Sequence, residues 1–294
     1  MSAPRLVHVD DSLPGISRER SGVGWRYRDA KGKIIREQGE IDRLNAIALP
    51  PAYEDAWFCP AANGHILATG YDARGRKQYR YHPGFRMARD ADKYDRCAAF
   101  GHALPLLRAR LVDDLNRRTL GPERVVAAVV RLLDLAALRI GNEQYAAANK
   151  SFGATTLRQR HAKLSGKTLR LKYIAKGGAK REVTISDRSL TTLVRRLQDL
   201  PGQNLFQYED EGGLCAVASD DVNAYIREAM GDEFSAKHFR TWSASVEAFA
   251  FLYDAPEPPT LKAMLEHVAD RLGNTPAIAR KGYVHPAVLA AGQA

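Results

Sequence analysis

Residues 168–185 read Thr-Leu-Arg-Leu-Lys-Tyr-Ile-Ala-Lys-Gly-Gly-Ala-Lys-Arg-Glu-Val-Thr-Ile. Apolar and basic residues alternate before the glycines, and Val183 and Ile185 keep a spacing of two after them. This period is typical of half-buried strands, and two such runs around a Gly-Gly pair predict a β-hairpin. The pattern places Lys176 at the tip of that hairpin.

The segments on both sides of the hairpin have a helical period instead. An apolar face is marked by Leu104, Leu107, Leu111 and Leu115. A long apolar helix is predicted after Gly121-Pro122, over 123–149, and further helices are predicted over 187–200, 219–230, 235–252 and 260–272. Residues 91–294 are therefore expected to form a larger, mainly helical domain that is interrupted by the hairpin.

Short strands are predicted closer to the N-terminus. Residues 25–28 and 34–35 flank a turn and are expected to form a hairpin, and 57–58, 65–68 and 78–81 are expected to be further strands. Residues 1–20 combine prolines with charges and have no sustained period, so they are expected to be a flexible tail. The predicted fold class is α+β, with a small strand-rich domain over 21–90 ahead of the helical domain.

The charge of the chain indicates its partner. Its 294 residues carry 44 Lys and Arg against 34 Asp and Glu, which gives a net charge of +10 and a pI of about 9.6. A polyanion is indicated, most commonly nucleic acid, although charge alone leaves a membrane surface or acidic proteins open. Cys59, Cys97 and Cys215 are too scattered for a disulfide framework or a zinc site. Neither a spanning segment nor an export signal is found, so a cytoplasmic protein without a membrane partner is expected.

Two basic segments fit a nucleic-acid groove. Residues 71–90 hold six basic and two acidic side chains interleaved with aromatic rings, and residues 156–181 hold nine basic side chains and no acidic one. Cations neutralise phosphates, while tyrosine and glutamine side chains can reach phosphates or base edges. A solvated strand face explains the first segment equally well on composition alone.

Further residues supply what a tyrosine needs to attack a phosphodiester. Arg139 and Arg240 lie among apolar residues, and guanidinium groups match the charge of a phosphoryl transition state. Lys176 can give a proton to the leaving oxygen if neighbouring arginines lower its pKa. Each also has an ordinary structural explanation, since arginines cap helices and most lysines beside glycines are simply exposed.

The candidate nucleophile is Tyr283, in the segment Gly-Asn-Thr-Pro-Ala-Ile-Ala-Arg-Lys-Gly-Tyr over 273–283. Thr275 and Pro276 predict the start of a short helix that ends near the tyrosine. The same cations would activate its phenol, whose ordinary pKa is about 10. Asn274 could donate a hydrogen bond to a phosphate oxygen. Taken alone, Tyr283 is as suited to packing as any other tyrosine.

Together these segments resemble the type IB DNA topoisomerases, in particular the compact bacterial and poxvirus-like branch. Five segments carry the resemblance in order, namely 75–81, 138–142, 173–176, 237–242 and 273–283. The resemblance implies that Tyr283 forms a 3′-phosphotyrosyl bond, that Lys176 protonates the 5′-hydroxyl, and that Arg139 and Arg240 hold the phosphate. Viral members have a histidine where this chain has Asn274, so this position is expected to supply a hydrogen bond without proton exchange.

The resemblance also implies DNA contacts, partners and conditions. The implied DNA contacts are Arg76, Gln78, Tyr79, Tyr81 and Lys237. The expected enzyme relaxes supercoiled double-stranded DNA as a nucleoid-associated monomer, with no cofactor, ATP or metal, in keeping with a sequence that has neither a Walker A motif nor a clustered acidic metal motif.

Two alternatives remain at this point. Tyrosine recombinases share the Arg, Lys, Arg, Tyr set, but they usually have histidine three residues before the second arginine, where this chain has Lys237. Their N-terminal domain is also helical, whereas this one is predicted to contain strands. A non-enzymatic basic protein that binds DNA or RNA would explain the charge but not the ordered motifs.

Overall fold

A computed structural model describes residues 5–293, apart from the side chain of Asp90. The chain forms two compact units, divided between Asp92 and Lys93. The first contains an antiparallel sheet and a short helix, and the second is mainly helical with small antiparallel sheets. The predicted α+β class is confirmed.

The first unit is built on a five-stranded sheet with the order β2-β1-β3-β4-β5. Its elements are β1 (Ile16–Ser21), β2 (Gly24–Arg28), α1 (Gln38–Ala46), β3 (Glu54–Phe58), β4 (Ile66–Tyr71) and β5 (Lys77–Tyr81). Its core is formed by Ile16, Tyr27, Leu44, Leu49, Phe58 and Ala68. β5 is an edge strand, so one side of its backbone has no neighbouring strand in this sheet.

The expected tail over 1–20 is wrong for residues 16–20, which belong to β1. β1 pairs with β2 and β3. The main partner of β2 is therefore β1, and not residues 34–35 as predicted, because Ile34 forms an isolated bridge to Arg28. Charged residues concealed the strand. One of them, Arg18, is partly buried, and its guanidinium donates to the carbonyl of Leu49, in the connection between α1 and β3, at 2.8 Å. Residues 1–4 of the expected tail lie outside the described part of the chain.

The second unit is mainly helical. Its helices are the remainder of α2 (Pro83–Leu115), which starts in the first unit, and α3 (Pro122–Ala136), α4 (Glu143–Asn149), α5 (Arg188–Gln198), α6 (Ser219–Met230), α7 (Ala236–Tyr253), α8 (Leu261–Leu272), α9 (Pro276–Gly282) and α10 (Pro286–Ala291). Its strands are β6 (Ala162–Ser165), β7 (Thr168–Ile174), β8 (Lys180–Ser186), β9 (Gln207–Asp210) and β10 (Gly213–Ala216). The main core surrounds α3, which is buried along most of its length.

The predicted hairpin is formed by β7 and β8. β6 pairs with the other edge of β7, so that β7 is the central strand of a three-stranded sheet. Tyr173 is opposite Arg181 in the register, and Ile174 is opposite Lys180. The tip contains Gly177 and Gly178, with φ angles of +82° and +80°. Residues with a Cβ rarely adopt this backbone conformation, which explains why a Gly-Gly pair forms the turn beside Lys176.

The predicted helix over 123–149 is wrong, because α3 ends at Ala136 and α4 begins after Asn142. Ala137 has a left-handed backbone with φ of +48°, and its carbonyl accepts a hydrogen bond from Arg240 Nη1 at 2.5 Å. The carbonyl of Arg139 then accepts from the N–H of Ala154 at 2.8 Å. These bonds to distant residues offset the loss of helical ones, so Arg139 lies in a connection and not on a helix.

Candidate active site

Tyr283 follows the last residue of α9 and is held by two other helices. Thr275 caps α9 by accepting from the N–H of Ile278, with Pro276 in the first turn, as predicted. Lys93 of α2 donates to the carbonyl of Gly282 at 2.9 Å. On the other side of the segment, Ser245 of α7 accepts from the N–H of His285 at 3.0 Å. These bonds fix the backbone one residue before and two residues after the tyrosine.

Arg240 projects from α7 and is only 4% exposed. Its Nη1 donates to the carbonyls of Ala137 at 2.5 Å and Leu272 at 3.1 Å. Its guanidinium carbon lies 4.7 Å from the centroid of the Tyr283 ring. Arg240 therefore connects the end of α3, the end of α8 and the tyrosine at one point.

Arg139 and Lys176 line one cavity of about 310 Å³, together with Asn142, Tyr145 and Phe152 among others. Arg139 is partly buried, whereas Lys176 is exposed at the hairpin tip. A narrower cleft next to it is lined by Arg139, Arg240 and Gly273. The structure thus brings the two predicted arginines together and leaves the exposed lysine at the rim of the cavity.

The electrostatics of this cluster favour ionised tyrosine. Burial of the Tyr283 phenol acts to raise its pKa, but the charges of Arg240 and Arg139 lower it by more, so the pKa lies below the ordinary value of 10.0. Burial lowers the pKa of Arg240, although a guanidinium stays charged at neutral pH. The site therefore stabilises a negative oxygen at Tyr283.

Polar atoms without partners are concentrated here. Within residues 93–293, the buried side-chain nitrogen and oxygen atoms that lack a hydrogen-bond partner are Nε and Nη2 of Arg240 and both amide atoms of Asn274. Buried polar groups are nearly always paired, since an unpaired one costs about 1–3 kcal/mol. Two guanidinium donors and one amide donor are thus available for an anionic ligand.

Arg181 is a further residue of the site that the sequence interpretation missed. It lines the same cleft as Arg139 and Arg240, and its Nη1 donates to the carbonyl of Asp270 at 2.8 Å. The sequence did contain a signal for this residue. Arg181 is two residues before Val183, so the alternation of the strand places it on the buried face of β8. A basic residue at an inward position of an alternating strand needs a partner.

The predicted DNA contacts of the first unit lie on both faces of β5. Tyr79 and Tyr81 share one face, with their rings stacked at a centroid distance of 5.8 Å. Gln78 is on the other face, where it and Arg76 both donate to Asp72, at 3.0 and 2.9 Å. The hydrogen bond from Arg76 holds the pKa of Asp72 at about 2, so this pair is charge-compensated at neutral pH.

Lys237 lies in the first turn of α7 and is exposed. Among the described residues it forms no ion pair. A cation near the positive end of a helix dipole is unfavourable by itself, so an anionic ligand would stabilise it there.

A buried phenol beside two guanidinium groups, with unpaired donors next to it, is an arrangement that can bind an anionic group and stabilise an ionised tyrosine. The family model for the catalytic core of eukaryotic DNA topoisomerase I matches residues 82–281, and the model for the N-terminal domain of bacterial DNA topoisomerase IB matches residues 24–72. DNA topoisomerase 1B of Acanthamoeba polyphaga mimivirus is 31% identical over 287 residues, covering 92% of this chain and 85% of the viral protein.

The chain belongs to the type IB DNA topoisomerases, isomerases that bind DNA and relax it through a covalent tyrosine intermediate. DNA topoisomerase 1B of vaccinia virus (strain Copenhagen) is 21% identical, covering 81% of this chain and 75% of that protein. Among solved structures, XerH site-specific recombinase bound to its difH substrate matches with a TM-score of 0.40 and 14% identity, over 60% of this chain and 48% of the recombinase. The recombinase alternative is the weaker one, given the family matches.

Within residues 5–293, no helix is long and apolar enough to cross a membrane. Among the side chains that the structure describes, no three His, Cys, Asp or Glu residues come together as a metal site.

Proposed function

We propose that Tyr283 is the nucleophile that cleaves one strand of double-stranded DNA, forming a 3′-phosphotyrosyl bond while the 5′-oxygen leaves. The cut strand then rotates, and the 5′-hydroxyl attacks the phosphotyrosine to restore the DNA. One observation carries this proposal: within the described residues 93–293, the buried side-chain nitrogen and oxygen atoms without a hydrogen-bond partner belong to Arg240 and Asn274, in the cluster that favours ionised Tyr283.

The two arginines stabilise the charge that develops on the phosphate. Nε and Nη2 of Arg240 donate to a non-bridging oxygen while Nη1 keeps the guanidinium fixed to two backbone carbonyls. Arg139 lines the same cleft as Arg240 and donates to the phosphate as well. Donors fixed before reaction need no reorganisation in the transition state, and removal of one such donor typically costs about 10²–10³ in rate.

Asn274 donates its amide N–H to another phosphate oxygen. An amide cannot become cationic, so this residue orients the phosphate without exchanging a proton with it.

Lys176 acts as the general acid for the 5′-oxygen. Its place at the rim of the cavity shared with Arg139 lets the ammonium reach the leaving oxygen, and the glycine turn next to it allows this movement. The oxygen takes a proton from Lys176 as its bond to phosphorus breaks, and the lysine regains that proton when the strand is rejoined.

Arg76, Gln78, Tyr79, Tyr81 and Lys237 contact the duplex outside the reacting phosphate. Tyr79 is 39% exposed and stacked on Tyr81, which suits sugar and base-edge contacts. The enzyme works as a cytoplasmic, nucleoid-associated monomer, and neither ATP nor a metal takes part in the step described above.

Plasmid relaxation tests the nucleophile. The parent enzyme is expected to relax both positive and negative supercoils in buffer with EDTA and without nucleotide, on plasmids that share no recombination site. Tyr283→Phe should abolish relaxation and keep duplex binding, because only the reacting oxygen is lost. Tyr253→Phe is the matched control, since Tyr253 is 79% exposed at the end of α7. Relaxation by Tyr283→Phe at the parental rate would show that another residue is the nucleophile.

A further inference from the structure

Arg181 connects two elements that carry different parts of the chemistry. It belongs to β8, five residues after Lys176 in the same hairpin. Its Nη1 donates to the carbonyl of Asp270 at 2.8 Å, and its Nη2 donates to the carbonyl of Arg271. These carbonyls are in the last turn of α8, where the helix itself leaves such groups unpaired and where the dipole favours a cation.

The guanidinium of Arg181 also packs on the residue that follows α8. Gly273 has φ of +61°, and a Cβ at this position would lie 2.8 Å from Cδ and 2.9 Å from Nε of Arg181. Asn274 is the next residue, and Tyr283 follows after α9. Arg181 thus packs on the backbone that leads into the nucleophile segment, so closely that a Cβ at Gly273 would require the Arg181 side chain to shift.

The end of α8 has supports other than Arg181. Arg240 binds the carbonyl of Leu272, and the N–H of Asn274 donates to the carbonyl of Ala269 at 3.0 Å, so α8 keeps its position without Arg181. The hydrogen bonds described between the hairpin and α8 both come from Arg181. The strands of the hairpin stay packed in the main core through Leu169, Leu171 and Val183. Loss of Arg181 should therefore loosen the tip of the hairpin relative to α8 and leave α8 in place.

We infer that Arg181 is a positioning residue, which ties the hairpin tip to the end of α8 and thereby holds Lys176 in register with the phosphate attacked by Tyr283. This inference rests on the proposed roles of Lys176 and Tyr283. Arg181 acts through the general acid, so its loss should affect the protonation of the leaving oxygen much more than the attack on phosphorus.

The test compares two duplex substrates in single-turnover cleavage, one with the natural 5′-oxygen and one with sulfur at the bridging 5′ position. A thiolate leaves without a proton, so the sulfur substrate does not need the general acid. Arg181→Gln should slow cleavage of the oxygen substrate by about 10–100-fold, the scale expected when a catalytic group is misplaced by about 1 Å, and of the sulfur substrate by less than about threefold. Arg181→Lys, which can keep one of the two hydrogen bonds, should lie between the parent and Arg181→Gln.

A double variant shows whether Arg181 acts through Lys176. On the oxygen substrate, Lys176→Ala with Arg181→Gln should be no slower than Lys176→Ala alone, since residues acting as a unit are not additive. Arg108→Gln is the matched control: it removes one arginine that makes two hydrogen bonds, in this case to Asp134, and should leave both rates unchanged. Thermal unfolding of each variant confirms that it is folded at the assay temperature.

The outcomes separate this inference from the proposed function. Equal slowing of both substrates by Arg181→Gln, alongside a Lys176→Ala defect confined to the oxygen substrate, overturns the role of Arg181 alone. Equal slowing of both substrates by Lys176→Ala removes the general-acid role, and the inference about Arg181 with it. An additive double variant would also overturn the inference.

Discussion

At the residue scale, the ionisation of Tyr283 depends on which of two opposing effects is larger. Burial disfavours the phenolate, while Arg240 and Arg139 favour it and prevail, so the pKa is lowered. The lowered pKa means that ionised tyrosine appears at a lower pH in the folded protein than in the unfolded chain. It also means that ionisation stabilises the folded state, increasingly as the pH rises through the folded pKa.

A spectroscopic titration checks this direction. The tyrosinate absorbance of the parent minus that of Tyr283→Phe should give a midpoint below pH 10, and Arg139→Gln should move this midpoint upward because one of the two cations is removed. Arg139 is the better choice for this test, since Arg240 also holds the carbonyls of Ala137 and Leu272 and its loss would disturb the fold. A midpoint that did not move in Arg139→Gln would mean that this arginine does not act on the phenol.

The sequence supported the candidate residues of the site, but not all of their surroundings. Thr275 and Pro276 have strong local preferences, so the start of α9 could be predicted from them. The unpaired amide of Asn274 could not, because burial without a partner results from packing between distant segments. Arg181 was missed for a related reason: its acceptors are 89 and 90 residues away in sequence.

At the element scale, the hairpin and the shorter helices follow local patterns, whereas the break between α3 and α4 does not. The apolar period continues past residue 136, and alanine, the residue at 137, has the highest helix propensity. The helix ends there because groups from two separate segments bind this stretch. Arg240 takes the carbonyl of Ala137, while Ala154 and Thr155 take the next carbonyls, those of Arg139 and Ile140. Tertiary bonds of this kind cannot be read from periodicity.

The close approach of Gly153 to this connection gives a test. A Cβ at Gly153 would lie 2.6 Å from the Arg139 carbonyl oxygen and 2.6 Å from the nitrogen of Gly141, so Gly153→Ala must displace the backbone of Arg139. We expect a loss of about 1–3 kcal/mol in unfolding free energy, typical of overpacking. We also expect cleavage to slow by about 10–100-fold, as for a misplaced catalytic group.

Denaturant unfolding and single-turnover cleavage measure the two effects of Gly153→Ala. Gly212→Ala is the control, because a Cβ at Gly212 meets no atom within 4 Å. Parental cleavage by Gly153→Ala would show that the backbone position of Arg139 has little influence on the reaction.

At the scale of the whole molecule, the positive charge is concentrated where acidic partners are scarce. A second cavity, of about 600 Å³, is lined by Lys150, Arg160, Lys172, Lys180 and Arg181, with Glu182 as its acidic residue. Glu182 pairs with Arg170 and lies 3.5 Å from Lys172. Lys150, Arg160 and Lys180 form no ion pair among the described residues. The hairpin that carries Lys176 is therefore bordered by cations available to flanking phosphates.

The salt dependence of duplex binding measures how many of these cations meet phosphates. Each neutralised phosphate contributes about −0.9 to the slope of the logarithm of the binding constant against the logarithm of salt concentration. In the Tyr283→Phe background, which binds without cleaving, Lys150→Gln with Lys180→Gln should make the slope shallower by about 1.8, provided that both lysines contact phosphates. Arg108→Gln with Lys262→Gln removes the same charge from paired, exposed positions and should leave the slope unchanged. An equal change of slope in the two double variants would show that the lysines act through the net charge of the protein. A direct phosphate contact at Lys150 and Lys180 would make the slope depend on which two charges are removed.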